Sequence, residues 1–97
     1  MLVHCLTVRF TPSASAADVG AFRDAIGRLP GQVDFPLRTR QGPDLGERAT
    51  NADYAVVSEF ANVEDFRRYL THPAHLAVPR DHVESAHSVQ FIVDDLD

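Results

Sequence analysis

The sequence predicts an α+β domain of element order β-α-β-β-α-β, an antiparallel four-stranded sheet with both helices on one face. Three observations carry that prediction. Segments of alternating apolar residues sit near both ends and in the middle of the chain. Two segments repeat apolar residues at helical spacing behind N-cap residues. Proline and glycine punctuate the joints between them.

Residues 2–10 alternate. Leu2, His4, Leu6, Val8 and Phe10 point one way, and Val3, Cys5, Thr7 and Arg9 the other. Thr11-Pro12 ends this strand. Ser15 followed by Asp18 reads as a helix N-cap with its reciprocal acid, and Val19, Phe22, Ile26 and Leu29 then define a helix over 16–29. Pro30-Gly31 stops it. Residues 33–41 read as a second strand, with Pro36 suited to an edge or a bulge. The stretch 42–51 is polar and reads as an exposed loop. Tyr54 to Phe60 is a third strand. Asn62 caps a second helix with Val63, Phe66, Tyr69 and Leu70 on its apolar side, and Pro73 interrupts that helix so that His72-Pro73 opens a separate short turn. A helical stretch over 80–87 and a fourth strand over 89–93 complete the order. It is the ferredoxin-like order, and the right-handed crossover rule sets the helices relative to their flanking strands.

The 97 residues suit one domain, 1–97, with one core. A net charge of −5 argues against a nucleic-acid partner and against an anionic membrane surface, both of which need a basic face. The single cysteine, Cys5, excludes an internal disulfide and reads as a small strand thiol. The N-terminal residues lack a basic region followed by a long apolar run, and no apolar stretch approaches the ~20 residues of a membrane span. A cytoplasmic protein is expected.

Reactive groups concentrate in Tyr69-Leu70-Thr71-His72-Pro73-Ala74-His75, where a phenol and two imidazoles end an apolar helix. His75 has two readings: a general base that removes a proton from a carbon flanked by carbonyls, or a brace for the turn after Pro73. Tyr69 is either a donor to a developing enolate or a core tyrosine with its hydroxyl at the rim. His4, the polar residue on an apolar strand face, is either a partnered core histidine or the wall of a cavity shared with Leu6, Val8 and Tyr69. No metal is expected. Pro73 separates His72 from His75, no cysteine or glutamate joins them at a familiar spacing, and His82 and His87 read as surface or interface residues. Arg38, Arg40 and Arg48 read as solvated charges, and Glu59 as a cross-strand partner of Arg9.

The sheet face away from the helices is itself apolar, with Val3, Cys5, Ala55 and Val57 on it. A contiguous face of this kind marks an interface. Two copies packed sheet to sheet are the expected arrangement; a lid formed by 42–52 is the alternative.

Three segments carry a resemblance: Val3-His4-Cys5-Leu6-Thr7-Val8-Arg9-Phe10, Tyr54-Ala55-Val56-Val57-Ser58-Glu59-Phe60, and, most specific, Tyr69 to His75 with its His-Pro-Ala-His element. On these the chain resembles the Dabb family, the stress-responsive dimeric α/β-barrel domain, over essentially its whole length. The resemblance implies a homodimer through the sheet face and a pocket between sheet and helices that takes a small apolar or polyketide-like ligand. It also implies that no cofactor is needed. The family includes olivetolic acid cyclase-type polyketide cyclases, which close a linear polyketide by aldol condensation. By similarity to them, Tyr69, His75 and Asp94 are the implied catalytic residues, with Asp94 orienting His75. His4, Leu6, Val8, Phe22, Tyr54 and Val56 are the implied substrate-binding set. Tyr54 stands where those cyclases carry a further pocket histidine. The implied function is a cofactor-free cyclase or lyase for a β-dicarbonyl substrate; the alternative is a non-catalytic, stress-responsive binding domain.

Overall fold

In the computed structural model, which describes residues 1–94, four strands form one sheet: β1 (Leu2–Phe10), β2 (Leu37–Pro43), β3 (Tyr54–Phe60) and β4 (Val83–Ile92). Their order is β2-β3-β1-β4, and every neighbouring pair is antiparallel. Helix α1 (Ala16–Arg28) connects β1 to β2; α2 (Val63–Thr71) and a short α3 (Pro73–Leu76) connect β3 to β4. This is the expected ferredoxin-like α+β fold. Each helix crosses over one intervening strand, so both sheet edges are reached by a helical connection.

The helix starts follow from local chemistry. At α1 the Asp18 amide donates to Ser15 Oγ at 3.1 Å and the Ser15 amide donates to Asp18 Oδ2 at 2.9 Å, a complete capping box. At α2 the Asp65 amide donates to Asn62 Oδ1 at 2.9 Å. The helices lie over the sheet side that carries Leu2, Val8, Tyr54, Val56 and Phe60, and they contribute Phe22, Ala25, Ile26 and Tyr69 to the same core. Phe60 is central to it. Its ring lies 5.1 Å from Tyr69, 5.5 Å from Phe66 and 6.3 Å from Phe35 between centroids. Pairs of this kind add about 0.5–1.5 kcal/mol beyond their buried area.

Several expectations change. Residues 80–87 are not helical: β4 begins at Val83 and runs ten residues, because the whole length of β1 offers it hydrogen-bond partners from Phe10 to Leu2. As an edge strand β4 is mostly exposed, so its polar residues mask the alternation that would have marked it. Strand β2 starts four residues later than expected, at Leu37, after Pro36, which has no amide hydrogen for the ladder. It runs on to Pro43, so Gly42 and Pro43 belong to the sheet rather than to the loop. Glu59 lies 3.9 Å from Arg38, its neighbour across β2 and β3, while Arg9 donates to the Asn51 carbonyl. Leu70 is exposed on α2 rather than part of its apolar side.

Among the described residues no helix lies over the far face of the sheet; Val3 is buried there, and the loop after β2 reaches the other end of the face, where Arg9 donates to the Asn51 carbonyl. Pairing sets Val3 beside Phe91, and Cys5 between Val57 and Val89, in one continuous apolar strip. Val89 is 58% and Phe91 47% exposed. No helix among the described residues is long and apolar enough to cross a membrane.

Candidate functional site

Between the sheet and the helices lies a cavity of about 260 Å³. A cavity of roughly 150 Å³ already takes a benzene ring, so this one has room for a ring with substituents. Its floor is the helix-facing side of β1, β3 and β4, with Leu6, Val8, Val56 and Ala86; Phe22 and Ile26 of α1 close one side. Tyr69 and His75 close the other, and Val78, Arg80 and Val83 form the rim along the chain that returns to β4.

Sheet register puts a polar row across this apolar floor. Thr39, Ser58, His4 and Gln90 are successive partners on β2, β3, β1 and β4. The Gln90 amide donates to His4 Nδ1 at 2.9 Å. The ring proton of neutral His4 therefore sits on Nε2, which acts as a donor. The His4 ring packs 5.2 Å from Phe66. Burial holds the His4 pKa below the ordinary histidine value of 6.5, and the nearby His75 lowers it further. Ser58 Oγ is the one buried side-chain polar atom without a partner among the described residues, on a residue only 1% exposed.

The other wall is built by a helix break. His72 N-caps α3, its Nδ1 accepting from the Ala74 amide at 3.1 Å. That amide would serve the Leu70 carbonyl if α2 continued, and His75 takes its place: His75 Nδ1–H donates to Leu70 O at 3.3 Å. The bond selects the tautomer and leaves His75 Nε2 as the basic nitrogen. Burial pushes the His75 pKa below 6.5. The Leu70 bond opposes that shift, and the charges of Arg80 and His72 reinforce it. Tyr69, 3% exposed, lies with its ring 4.2 Å from that of His75. Burial pushes its hydroxyl up to about 12, so it remains protonated and a donor. At neutral pH the site thus offers one neutral base and two neutral donors on one cavity wall and floor.

Of the residues singled out in the sequence, the structure brings His4, Leu6, Val8, Phe22, Val56, Tyr69 and His75 to this one cavity. Two lie apart from its lining. Tyr54 is packed with Phe10 and Phe22, and its hydroxyl donates to Gln41 Oε1 at 2.9 Å. Asp94 follows the end of β4. Sequence reasoning missed Ser58, Gln90 and Arg80. The signal for the first two was available, since both share the parity of the helix-facing set, but it required the register. Among the described residues no group of three or more His, Cys, Asp or Glu could hold a metal ion.

The family model described as "Stress responsive A/B Barrel Domain" (Dabb) matches residues 2–95, and the chain belongs to that family. No curated protein matches it in sequence. Solved structures do. A dimeric ferredoxin-like protein of unknown function from Thermobifida fusca is 28% identical with a TM-score of 0.81, over 95% of this chain and 90% of that one. Hydroxynitrile lyase from Passiflora edulis is 20% identical with a TM-score of 0.84, over 97% and 94%. A Dabb family protein from Mesorhizobium loti is 17% identical with a TM-score of 0.76, over 95% of each chain. The last two likenesses speak to the fold.

Two outcomes are expected from this geometry. Ser58→Ala removes a buried hydroxyl that has no partner and should raise the unfolding free energy by about 1 kcal/mol in urea titration. The second concerns acid. His4 and His75 have folded pKa values below their unfolded value of 6.5, so the unfolded chain binds protons first. Their contribution is complete above pH 6.5 and is lost as pH falls through the folded values. A plot of unfolding free energy against pH should decline below 6.5, less steeply in His75→Asn.

Proposed function

We propose that the cavity is the active site of a cofactor-free lyase or cyclase acting on a small carbonyl compound, of the β-dicarbonyl, polyketide-like kind. One observation carries the reading. Tyr69 and His75 are in ring contact on the wall of a largely apolar cavity, with His75 neutral and its Nδ1 already committed. His75 Nε2 takes a proton from the carbon between two carbonyls. The Tyr69 hydroxyl and His4 Nε2–H donate to the enolate oxygen as charge develops there, the enolate carbon then attacks a second carbonyl to close the ring, and the alkoxide left by that carbonyl's broken π bond takes the proton back from His75. The apolar lining strengthens each of these interactions by excluding water. The fold shared with the Passiflora hydroxynitrile lyase supports a second use of the same groups, in which the base takes a hydroxyl proton while the carbon–carbon bond to cyanide breaks, and the departing cyanide takes that proton to leave an aldehyde and hydrogen cyanide.

Incubation with a tetraketide thioester and with an aromatic cyanohydrin separates these. A ring product or an aldehyde, respectively, is expected, with turnover reduced about 10²–10⁴-fold in His75→Ala and about 10²–10³-fold in Tyr69→Phe. The rate should rise with pH through a pKa below 6.5 and then stay level well beyond neutrality, because Tyr69 holds its proton up to about 12. Absence of turnover on both compounds favours a non-catalytic binding domain.

The same reading includes a homodimer. The exposed Val89 and Phe91, with half-buried Cys5 and Val57 beside them, form the surface a second copy would cover, and the Thermobifida relative is described as dimeric. Sedimentation should give twice the mass of the 97-residue chain, and Val89→Asp should give a folded single copy. A single copy for the native chain would refute the arrangement.

A further inference from the structure

The cavity wall carries one formal charge, and it is positive. Among the residues that line it there is an arginine, Arg80, and no aspartate or glutamate. Arg80 is held in place from behind: its Nη2 donates to the His75 carbonyl at 3.0 Å and its Nε to the Val78 carbonyl at 3.4 Å. A guanidinium has five N–H donors, so this anchoring leaves the rest of the fork unengaged. No carboxylate among the described residues lies within ion-pair distance of it. The nearby acids serve other elements. Asp18 accepts from the Ser15 amide and sits 3.4 Å from His82, and Asp81 belongs with it to a separate depression beyond Val83. The two imidazoles of the cavity are neutral at pH 7, so they neither duplicate the charge nor cancel it.

An anchored, unpaired guanidinium at the rim of an apolar cavity is a receptor for a planar anion. Arginine binds carboxylates through two parallel N–H···O bonds, and such bonds strengthen where apolar walls exclude water. The remaining surface, from Leu6, Val8, Ile26 and Val56, suits a ring or a short branched chain. We infer that the cavity takes a small monocarboxylate, its carboxylate on Arg80 at the rim and its apolar body over the strand floor towards Tyr69 and His75. The inference rests on the reading of the cavity as a ligand site and specifies which ligands enter it. Catalysis is not required for it to hold.

Benzoate and its neutral isostere benzamide test it. Binding to the native protein is measured by calorimetry, and amide chemical-shift changes locate each probe. Benzoate should bind about ten- to a hundredfold more tightly than benzamide, with shifts at Tyr69 and His75. Arg80→Gln should reduce benzoate to the level of benzamide and leave benzamide unchanged, which also reports that the variant is folded. Arg80→Lys should keep part of the preference. Equal affinity of the native protein for both probes, or a preference that survives in Arg80→Gln, overturns the anion assignment and leaves the cavity a ligand site. Binding of neither probe, or shifts confined to other surfaces, overturns the assignment and the cavity reading together.

Discussion

A strand paired on both edges cannot slip by one residue without turning every side chain over to the opposite face. Strand β1 is in that position, locked to β3 on one side and β4 on the other over nearly its full length. The alternation in its nine residues therefore decides both faces of the protein at once. Leu2, Leu6 and Val8 are committed to the core and the cavity floor, His4 comes to lie between Ser58 and Gln90, and Val3 and Cys5 are sent to the opposite face. Helix α2 has little choice after that. Its Tyr69 packs on Phe60, and the chain beyond it must return over the floor to reach β4.

The polar row across the floor runs against the economy of a core. Flanking rows are apolar at their centre, with Phe60 beside Leu2 and Val56 beside Leu6. A leucine or valine at position 58 would satisfy packing without a buried hydroxyl. Ser58 instead keeps an unpartnered oxygen in the interior, at a cost of the order of 1–3 kcal/mol. Sites that bind polar groups hold such unmet demands, which a ligand can satisfy. The two histidines differ from it, since each has one nitrogen satisfied by the protein and one left available.

How much of this was legible in the sequence depended on which kind of signal each residue carried. Local rules read well. The capping box at Ser15, the cap at Asn62 and the alternation of β1 and β3 are short-range patterns, and the structure has all of them. The motif Tyr69 to His75 and the parity of His4 pointed to one cavity, and the resemblance to the Dabb family added Phe22. What could not be read were features set by pairing. The length of β4 comes from its ladder with β1 rather than from its own composition. The contact of Gln90 with His4, eighty-six positions apart, exists only through that ladder. Arg80 is one of nine basic residues and carries no local signal; its tethers to His75 and Val78 exist only in the fold. Tyr54 shares the parity of the cavity floor, yet it stands at the strand end where Phe10 and Phe22 enclose it.

The break between α2 and α3 has a chemical effect that its residues do not advertise. Proline at 73 carries no reactive group, but it stops one helix, starts the next, and so leaves a main-chain oxygen on Leu70 without its usual amide. An imidazole claims that oxygen, and in doing so its two nitrogens become unequal. The ring that results can accept a proton at one position only. A residue incapable of acid–base chemistry thereby dictates which nitrogen of a neighbouring imidazole stays basic, and that information is stored in a gap in the backbone ladder rather than in any side chain of the wall.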